Sequence, residues 1–492
     1  MGKQGRALVA MIGGLFWATA AAQPAQDREL DAAAMLADVD LAEEAYSRIH
    51  PGYTRYASTD DMAFAWQSLR TQINDGKITT VGDFYLGIEE ALVPIRCDHT
   101  KAELPKALRD ERDTARVYLP FRWVWVEGRA IVLDPGSATG LSAGDEVMAL
   151  DGKPIAHIVE ETQRFIPVDG YTDWARSGQV PDSLEFPGGA VDHFGALLEW
   201  PEPRVSVTAI SATGQEKREV VSRLTFQELR ALRAQNSLAT DFKNAVTFER
   251  IGERAALLRI DTFVNYRYPV KPDDLYAPIF KALKREGRDS LILDLRRNGG
   301  GSGDAQMGLL AYLINEKLRL YTDMRVATLD LDGVREHLWT WDSRALNPNR
   351  AGFRSNDDGT YSLRRFVSED LKEIRPKRDR FDGRLFVLIS ADNSSASTTL
   401  SAFLDAHTDA VLVGEETGGS SEGPTAGLLF TLTLPQSGIK TRVPFFRYYN
   451  NVPNPRPGFG VAPDVEAKQT VASIRAGTDP AKEAALSLVA DQ

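Results

Sequence analysis

The sequence predicts an α/β protein in which a helical region and a small β domain precede a larger core of alternating strands and helices. Three patterns support this fold class. Apolar residues recur at helical spacing within residues 28–110, short strands and tight turns follow within 117–225, and apolar strands alternate with helices within 246–470. At 492 residues the chain is long enough for two or three domains.

Composition excludes several classes of protein. Hydrophobic residues make up 43% of the chain and charged residues 26%, which is typical of a globular protein with a large core. The net charge of −11 argues against a nucleic-acid-binding surface. Cys97 is the single cysteine, so an internal disulfide is excluded and a Cys/His metal cluster is not available. The sequence therefore predicts no metal and no other cofactor.

The first 22 residues have the order of a secretory signal peptide. Lys3 and Arg6 precede an apolar run over 7–20, and the small residues Ala20, Ala21 and Ala22 follow. The run is short for a transmembrane helix, and no later stretch reaches about 18 apolar residues. We therefore expect cleavage of residues 1–22 and an exported, periplasmic or extracellular protein without a stable membrane span. A retained N-terminal anchor is the alternative.

Residues 28–110 are predicted to form a helical N-terminal region. One apolar stripe at steps of four, three and four consists of Met62, Trp66, Leu69 and Ile73. Thr80 with Asp83 three residues later is typical of a capping box at the start of another helix. This region leads to residues 96–100, which read Arg-Cys-Asp-His-Thr.

Residues 117–225 change to a β pattern. Residues 123–126 are strand formers, and residues 140–155 combine a Gly-Asp turn, a short apolar strand and an Asp-Gly turn. The stretch 140–155 resembles PDZ domains, which commonly bind a peptide as an added strand. Residues 160–200 match no PDZ element and are interpreted as an insertion. A small β domain without a ligand is the alternative.

Residues 246–470 are predicted to form the α/β core. Strands are expected at 255–260, 290–295, 385–389 and 410–413, with helices over 275–286 and 396–403. Continuous apolar strands joined by helices indicate a sheet that is covered on both faces. Residues 320–380 are polar and are interpreted as an insertion, and residues 471–492 as a C-terminal helical tail.

Two turns in the core are candidates for a catalytic role. Gly299, Gly300 and Gly301 follow a strand, and their backbone N–H groups are suited to a developing negative charge. The Lys-Ser/Thr ending of a phosphate-binding P-loop is absent, and an ordinary tight turn is the alternative. Ser394 and Ser395 precede the next predicted helix, where a serine is either a nucleophile or an N-cap.

Four ordered motifs resemble peptidase family S41, the tail-specific or C-terminal-processing proteases. They are the strand with its glycine turn (291–301), the serine segment (394–397), the strand and turn of 411–419 and the Gly-Val-Ala-Pro-Asp segment (460–464). A PDZ-like module ahead of the core is the family's usual order. The resemblance implies a crotonase-like core of repeated ββα units and a serine-type peptidase with Ser395 as its nucleophile.

The family uses two kinds of general base, and this sequence distinguishes them. Processing proteases place a lysine about 25 residues after the serine, but position 420 is Ser and 395–439 contains no lysine. Tricorn-like members place a histidine before the PDZ-like region, typically in Asp-Gly-His-Thr. Residues 97–100 read Cys-Asp-His-Thr and are similar to that motif. The resemblance therefore implies that His99 is the base.

The acid that orients this histidine is not identified by the motifs. Where tricorn-like members have a glutamate, this chain has Pro457, and the possible substitutes are Glu415, Glu416, Glu422 and Asp464. We interpret Glu415 as the acid. For the oxyanion hole we expect the backbone N–H groups of Gly299 or Gly300 and of Ala396.

The sequence thus predicts hydrolysis of a peptide or protein substrate through a Ser395 acyl-enzyme with His99 as general base. The alternative is a catalytically weak or inactive S41-like protein that binds peptide or an apolar ligand.

Overall fold

The computed structural model describes residues 25–490 except 184 and 236–238. The predicted signal peptide at 1–22 lies outside the described residues. Among the helices of the described part, none is both long and apolar enough to span a membrane.

The N-terminal region consists mainly of helices, which begin at clear capping residues. Ser58 and Asp61 form a capping box, and the side chain of Thr80 accepts a hydrogen bond from the backbone N–H of Asp83. The predicted apolar stripe that starts at Met62 is buried. The elements are α1 (Ala32–Ile49), α2 (Thr59–Asn74), α3 (Val81–Leu92), β1 (Ala102–Glu103) and α4 (Lys106–Thr114).

The β domain follows, with helices inserted before its last two strands. Its strands pair in the order β2-β3-β4-β6-β7, and β5 pairs with β4. The predicted Asp-Gly turn joins β4 to β5, and Asp151 and Gly152 both have positive φ, as this tight hairpin turn requires. The elements are β2 (Arg122–Val126), β3 (Arg129–Asp134), β4 (Glu146–Leu150), β5 (Lys153–Pro154), α5 (Ile155–Gln163), α6 (Arg176–Gln179), α7 (Gly189–His193), α8 (Gly195–Leu198), β6 (Arg204–Ile210), β7 (Glu216–Ser222), α9 (Phe226–Gln235) and α10 (Phe242–Ala245).

The core contains the remaining strands and helices. In chain order they are β8 (Val246–Ile251), β9 (Ala255–Ile260), α11 (Pro272–Arg285), β10 (Ser290–Asp294), α12 (Gly303–Leu310), β11 (Leu318–Arg319), β12 (Tyr321–Val326), β13 (Leu338–Trp339), β14 (Phe353–Ser355), β15 (Tyr361–Leu363), β16 (Glu373–Ile374), β17 (Arg384–Ile389), α13 (Ser395–His407), β18 (Val411–Gly414), β19 (Thr425–Thr433), β20 (Lys440–Asn450), β21 (Val465–Glu466), α14 (Val471–Ala476) and α15 (Pro480–Ala490).

One core sheet is parallel except at one edge and is covered on both faces. Its order is β21-β18-β17-β10-β9-β8, with only β8 antiparallel to its neighbour. Leu291 and Leu293 of β10 pack in the main core, whereas Ile292 between them packs with Ala481 and Ala485 of α15. The apolar strands are therefore explained by burial on two sides, and the C-terminal helical tail supplies the second cover.

A second core sheet connects the N-terminal region with the core. Its order is β13-β19-β20-β12-β15-β14, and β1 pairs with β20. Residues 320–380, interpreted from the sequence as an insertion, contribute β12, β13, β14 and β15 to this sheet. The register places Ala102 opposite Thr441, so the segment just after His99 is held by backbone hydrogen bonds to the core.

A buried carboxyl group supports the same segment from the helical side. Glu89 is fully buried and accepts hydrogen bonds from the N–H of Ala102 at 2.9 Å and the hydroxyl of Tyr85 at 3.3 Å. Burial raises the pKa of Glu89 to about 8. The folded protein therefore holds this group protonated at a pH where an unfolded chain ionises it.

The Glu89→Gln variant is expected to unfold at a higher temperature than wild type at pH 9 and at the same temperature below pH 4. The pKa of Glu89 in the folded state lies above the unfolded value of about 4.3. Its contribution to the free energy of unfolding is therefore fully present at low pH and is lost as pH rises towards 8. Thermal unfolding across this range measures the difference. Glu90→Gln, at the exposed neighbouring position, is the control, and an equal, pH-independent effect of both variants would contradict the prediction.

Candidate active site

The structure brings together the serine and the histidine that the sequence singles out. The Nε2 atom of His99 lies 3.2 Å from the Oγ atom of Ser395, although the two are separated by 296 residues. Ser395 is the first residue of α13 and follows the end of the core strand β17 after the turn at 390–394, and His99 lies in the loop before β1. Both side chains are half-buried, so the pair lies at a surface that a substrate can reach.

The serine occupies a strained turn. Ser395 has a φ of 50° in the left-handed region, which a non-glycine residue adopts at a cost of about 1–3 kcal/mol. Buried Asn393 braces the turn because its side-chain N–H groups donate to the Asn298 carbonyl at 3.2 Å and to Ser397 Oγ at 3.0 Å. Its side-chain oxygen accepts from the N–H of Ser390 at 2.8 Å. This turn places the hydroxyl at a helix N-terminus, whose dipole favours negative charge.

The glycine turn lies directly against the serine. A Cβ atom added to Gly300 would lie 2.8 Å from the Cβ of Ser395 and 3.1 Å from the backbone nitrogen of Ala396. The N–H of Gly300 already donates to the side-chain oxygen of Asn298 at 2.9 Å. Gly300 therefore makes room at the site rather than donating to an oxyanion, which corrects one of the expected donors. The backbone N–H groups of Gly299 and Ala396 remain the expected donors to an oxyanion.

Asp98, directly before the histidine, is the carboxylate closest to it. Asp98 Oδ1 lies 2.6 Å from His99 Nδ1, an ion-pair distance at which the two atoms are not aligned for a hydrogen bond. The other oxygen, Oδ2, accepts a hydrogen bond from the Ser394 hydroxyl. The adjacent serines are thereby distinguished, because Ser394 contacts the acid and Ser395 contacts the base.

The charges of Asp98 and His99 stabilise each other. Burial lowers the pKa of His99, but the interactions with Asp98 and Cys97 together outweigh burial and leave that pKa well above its usual value. Burial raises the pKa of Asp98, but the interactions with His99, Lys101 and Ser394 together outweigh it, so that pKa lies below its usual value. The imidazolium form is therefore favoured when no substrate is bound, and the free base becomes available as pH rises.

A second carboxyl group, which sequence reasoning missed, comes from the segment inserted in the β domain. Asp169 accepts the backbone N–H of Asp98 at 3.0 Å and is 4% exposed. Burial and the nearby charge of Asp98 raise the pKa of Asp169 to about 7. No local motif marks this residue, since it lies within 160–200, the stretch interpreted from the sequence as an insertion.

The inserted segment also packs on the core near Ser395. The Thr172 hydroxyl donates to the Gly418 carbonyl at 2.6 Å, and the Trp174 indole N–H lies 3.2 Å from the Thr417 carbonyl. The backbone N–H of Tyr171 donates to the carbonyl of Gly458 at 2.7 Å. The β domain and the core therefore share one wall of the site.

The glutamates proposed as the acid lie elsewhere. Glu415, the expected acid, lies near the charged groups of Lys468, Glu466 and Asp392, and burial raises its pKa. Glu416 pairs with Arg456 at 3.1 Å. Two further candidates also have other partners, Glu422 with Arg55 and Asp464 with the N–H of Leu412. Among these carboxylates and Asp98, it is Asp98 that contacts His99 Nδ1.

A buried histidine supports the loop from the other side. His50 Nδ1 accepts the N–H of Gly52 at 3.1 Å, so its Nε2 carries the proton and donates to the Thr100 hydroxyl at 3.0 Å. Burial lowers the pKa of His50 to about 3, which keeps the ring neutral. His50 therefore has a structural role next to His99.

Comparison with known proteins identifies two domains and the fold. Residues 254–467 match the model of peptidase family S41, and residues 115–228 match a PDZ domain model. No curated protein sequence matches. Among solved structures, mature CPAF complexed with lactacystin superposes with a TM-score of 0.64 at 16% identity, covering 93% of this chain and 97% of CPAF.

A second structure of mature CPAF superposes with a TM-score of 0.63 at 15% identity, covering 92% of this chain and 96% of CPAF. The photosystem II D1 C-terminal processing protease is a weaker match, with a TM-score of 0.42 at 15% identity over 88% of this chain and 93% of that one. At these identities the similarity to CPAF demonstrates a common fold.

The fold and the site define a serine-type peptidase with an attached PDZ domain. Residues 254–467 form a domain of peptidase family S41.

The Gly300→Ala variant is expected to react with a fluorophosphonate at least about 100-fold more slowly than wild type. The added methyl group would meet Ser395 and the Ala396 nitrogen, where an oxyanion needs room and a donor. Labelling rate and thermal unfolding are measured together. Gly359→Ala is the control, because Gly359 also has positive φ but no atom lies within 4 Å of the added carbon. A wild-type labelling rate in Gly300→Ala would contradict the prediction.

Proposed function

We propose that this peptidase hydrolyses peptide bonds through a Ser395 acyl-enzyme, with His99 as general base. The observation that carries the proposal is the 3.2 Å approach of His99 Nε2 to the hydroxyl oxygen of Ser395. A serine hydroxyl is a weak nucleophile unless a neighbouring base accepts its proton. The strained turn adds a helix N-terminus that favours the negative charge formed during attack.

In the acylation half of the reaction, neutral His99 accepts the Ser395 proton as the oxygen attacks the scissile carbonyl carbon. The backbone N–H of Ala396 and that of Gly299 are the donors we propose for the resulting oxyanion. Asp98 stabilises the imidazolium by its charge, 2.6 Å from Nδ1. His99 then gives its proton to the leaving amine, and the carbonyl re-forms as an ester on Ser395.

In the deacylation half, water takes the place of the amine. His99 accepts a proton from this water as it attacks the ester carbonyl, and the oxyanion forms in the same place. Collapse of the intermediate returns the proton from His99 to the Ser395 oxygen and releases the carboxylate product. The reaction consumes one water molecule for each bond cleaved and restores the resting enzyme.

We propose Asp98 rather than Glu415 as the third member of the triad. Asp98 contacts both His99 and Ser394, whereas the charged groups near Glu415 are Lys468, Glu466 and Asp392. Adjacent positions in the chain restrict how the carboxylate can align with the ring, which accounts for the ion-pair contact without hydrogen-bond alignment.

A fluorophosphonate probe is expected to label wild type and Ser394→Ala but not Ser395→Ala. The probe reacts with an activated serine, and only Ser395 contacts the base. Mass spectrometry of the labelled peptide identifies the serine, and circular dichroism checks that each variant is folded. Labelling that survives Ser395→Ala would refute the assignment. Folded wild type that binds peptide without labelling would instead indicate a binding protein.

Asp98→Asn is expected to lower kcat by about 10²–10⁴-fold, and Glu415→Gln is expected to leave it nearly unchanged. The asparagine keeps the shape of Asp98 but removes the charge that stabilises the imidazolium. The same loss should lower the pKa of His99, so the rising limb of the kcat/KM profile should move to lower pH. Profiles of both variants on one peptide substrate measure this. A large loss in Glu415→Gln alone would reverse the assignment.

A further inference from the structure

Four potential metal ligands converge beside the catalytic base. Cys97, Asp98, His99 and Asp169 each present one ligand atom, and these atoms all lie within 4.8 Å of one another. Three of the residues are consecutive in the loop before β1, and the fourth comes from the inserted segment of the β domain. The sequence predicts no metal because one cysteine cannot form a Cys/His cluster, but the fold places the carboxylates of Asp98 and Asp169 beside Cys97 and His99.

Three polar atoms in this cluster are buried without hydrogen-bond partners in the described structure. They are Asp98 Oδ1, His99 Nδ1 and Asp169 Oδ2. Asp169 is 4% exposed, and its other oxygen already accepts the N–H of Asp98. Asp98 Oδ1 and His99 Nδ1 form an ion pair with each other at 2.6 Å, whereas Asp169 Oδ2 has neither a hydrogen bond nor an ion pair within the described residues. One cation placed among them would contact all three and would balance two negative charges.

The types of ligand indicate which ion suits the cluster. A thiolate, an imidazole and two carboxylates form a four-coordinate N/S/O set of the kind that Zn²⁺ prefers. Ca²⁺ and Mg²⁺ favour oxygen ligands only and are poorly matched by Cys97 and His99. We propose that Cys97, Asp98, His99 and Asp169 form a Zn²⁺ site whose occupation switches the peptidase off.

The inhibition follows from the position of the proton on the imidazole ring. A neutral histidine that binds Zn²⁺ through Nδ1 carries its proton on Nε2. In His99 this nitrogen faces the Ser395 hydroxyl at 3.2 Å, so it becomes a donor and cannot accept the serine proton. Binding also releases the thiol proton of Cys97 and the Nδ1 proton of the imidazolium to solvent. Zinc would thus occupy the same nitrogen that Asp98 contacts in the active enzyme.

Binding and inhibition are separable. The inhibition rests on the proposed Ser395–His99 chemistry, whereas the binding of the ion does not. The experiment therefore needs one measurement of the metal itself and one of the serine.

Metal binding is tested with Co²⁺, which replaces Zn²⁺ and is coloured. The chelator-treated full chain should bind one equivalent and show a near-ultraviolet thiolate-to-Co²⁺ charge-transfer band that Zn²⁺ abolishes. Cys97→Ser should remove the band, and Asp169→Asn should weaken Zn²⁺ binding at least about 10-fold. His157→Gln, which alters an exposed His/Glu pair on α5, is the control and should bind as wild type does.

Inhibition is tested on the wild-type protein, so the result does not depend on whether a variant folds. One equivalent of Zn²⁺ should suppress fluorophosphonate labelling of Ser395, and a chelator should restore it. Absence of the charge-transfer band, or an equal band in Cys97→Ser, would overturn the metal site. Labelling of Ser395 in the metal-free protein would in that case still support the proposed peptidase activity. A band with undiminished labelling would overturn the switch. A Co²⁺ band in a protein that never labels would support the site and refute the proposed function.

Discussion

The approach of His99 to Ser395 depends on a short backbone pairing that connects the two ends of the chain. Strand β1 is only two residues long, yet it pairs with β20 and holds the loop that carries His99. Glu89 fixes the N–H of Ala102 within that strand, and the His50–Thr100 hydrogen bond supports the loop before it. The base therefore has a fixed position only when the helical region is folded against the core.

The serine is positioned by a different means, namely local strain held by buried amide groups. Ser395 keeps a left-handed φ because the fully buried side chain of Asn393 links the end of β17, the glycine turn and the first turn of α13. The hydrogen bonds of a buried side chain are costly to break, so they oppose relaxation of the turn. The hydroxyl is consequently preorganised before substrate binds, which is the condition for effective electrostatic stabilisation of an oxyanion.

The β domain contributes directly to this site. Asp169 and Thr172 lie in the segment inserted before its last two strands, and they contact the histidine loop and the Gly418 turn respectively. The peptidase site is thus assembled from the helical region, the β domain and the core. Displacement of the inserted segment would remove a buried carboxyl group from the base, so the position of this domain and the state of the base are physically coupled.

The sequence by itself determined the order of the three parts, the buried strand β10 with its glycine turn, and the pair of Ser395 and His99, because periodicity and motifs are encoded in neighbouring residues. Which carboxylate contacts His99 was decided only by the tertiary structure. In the sequence Asp98, Asp169 and Glu415 are all acidic residues that no motif distinguishes. The distance of each carboxylate from His99 Nδ1 depends on how segments that are far apart in the chain pack. The direction of a backbone N–H, as at Gly300, likewise exists only once the chain has folded.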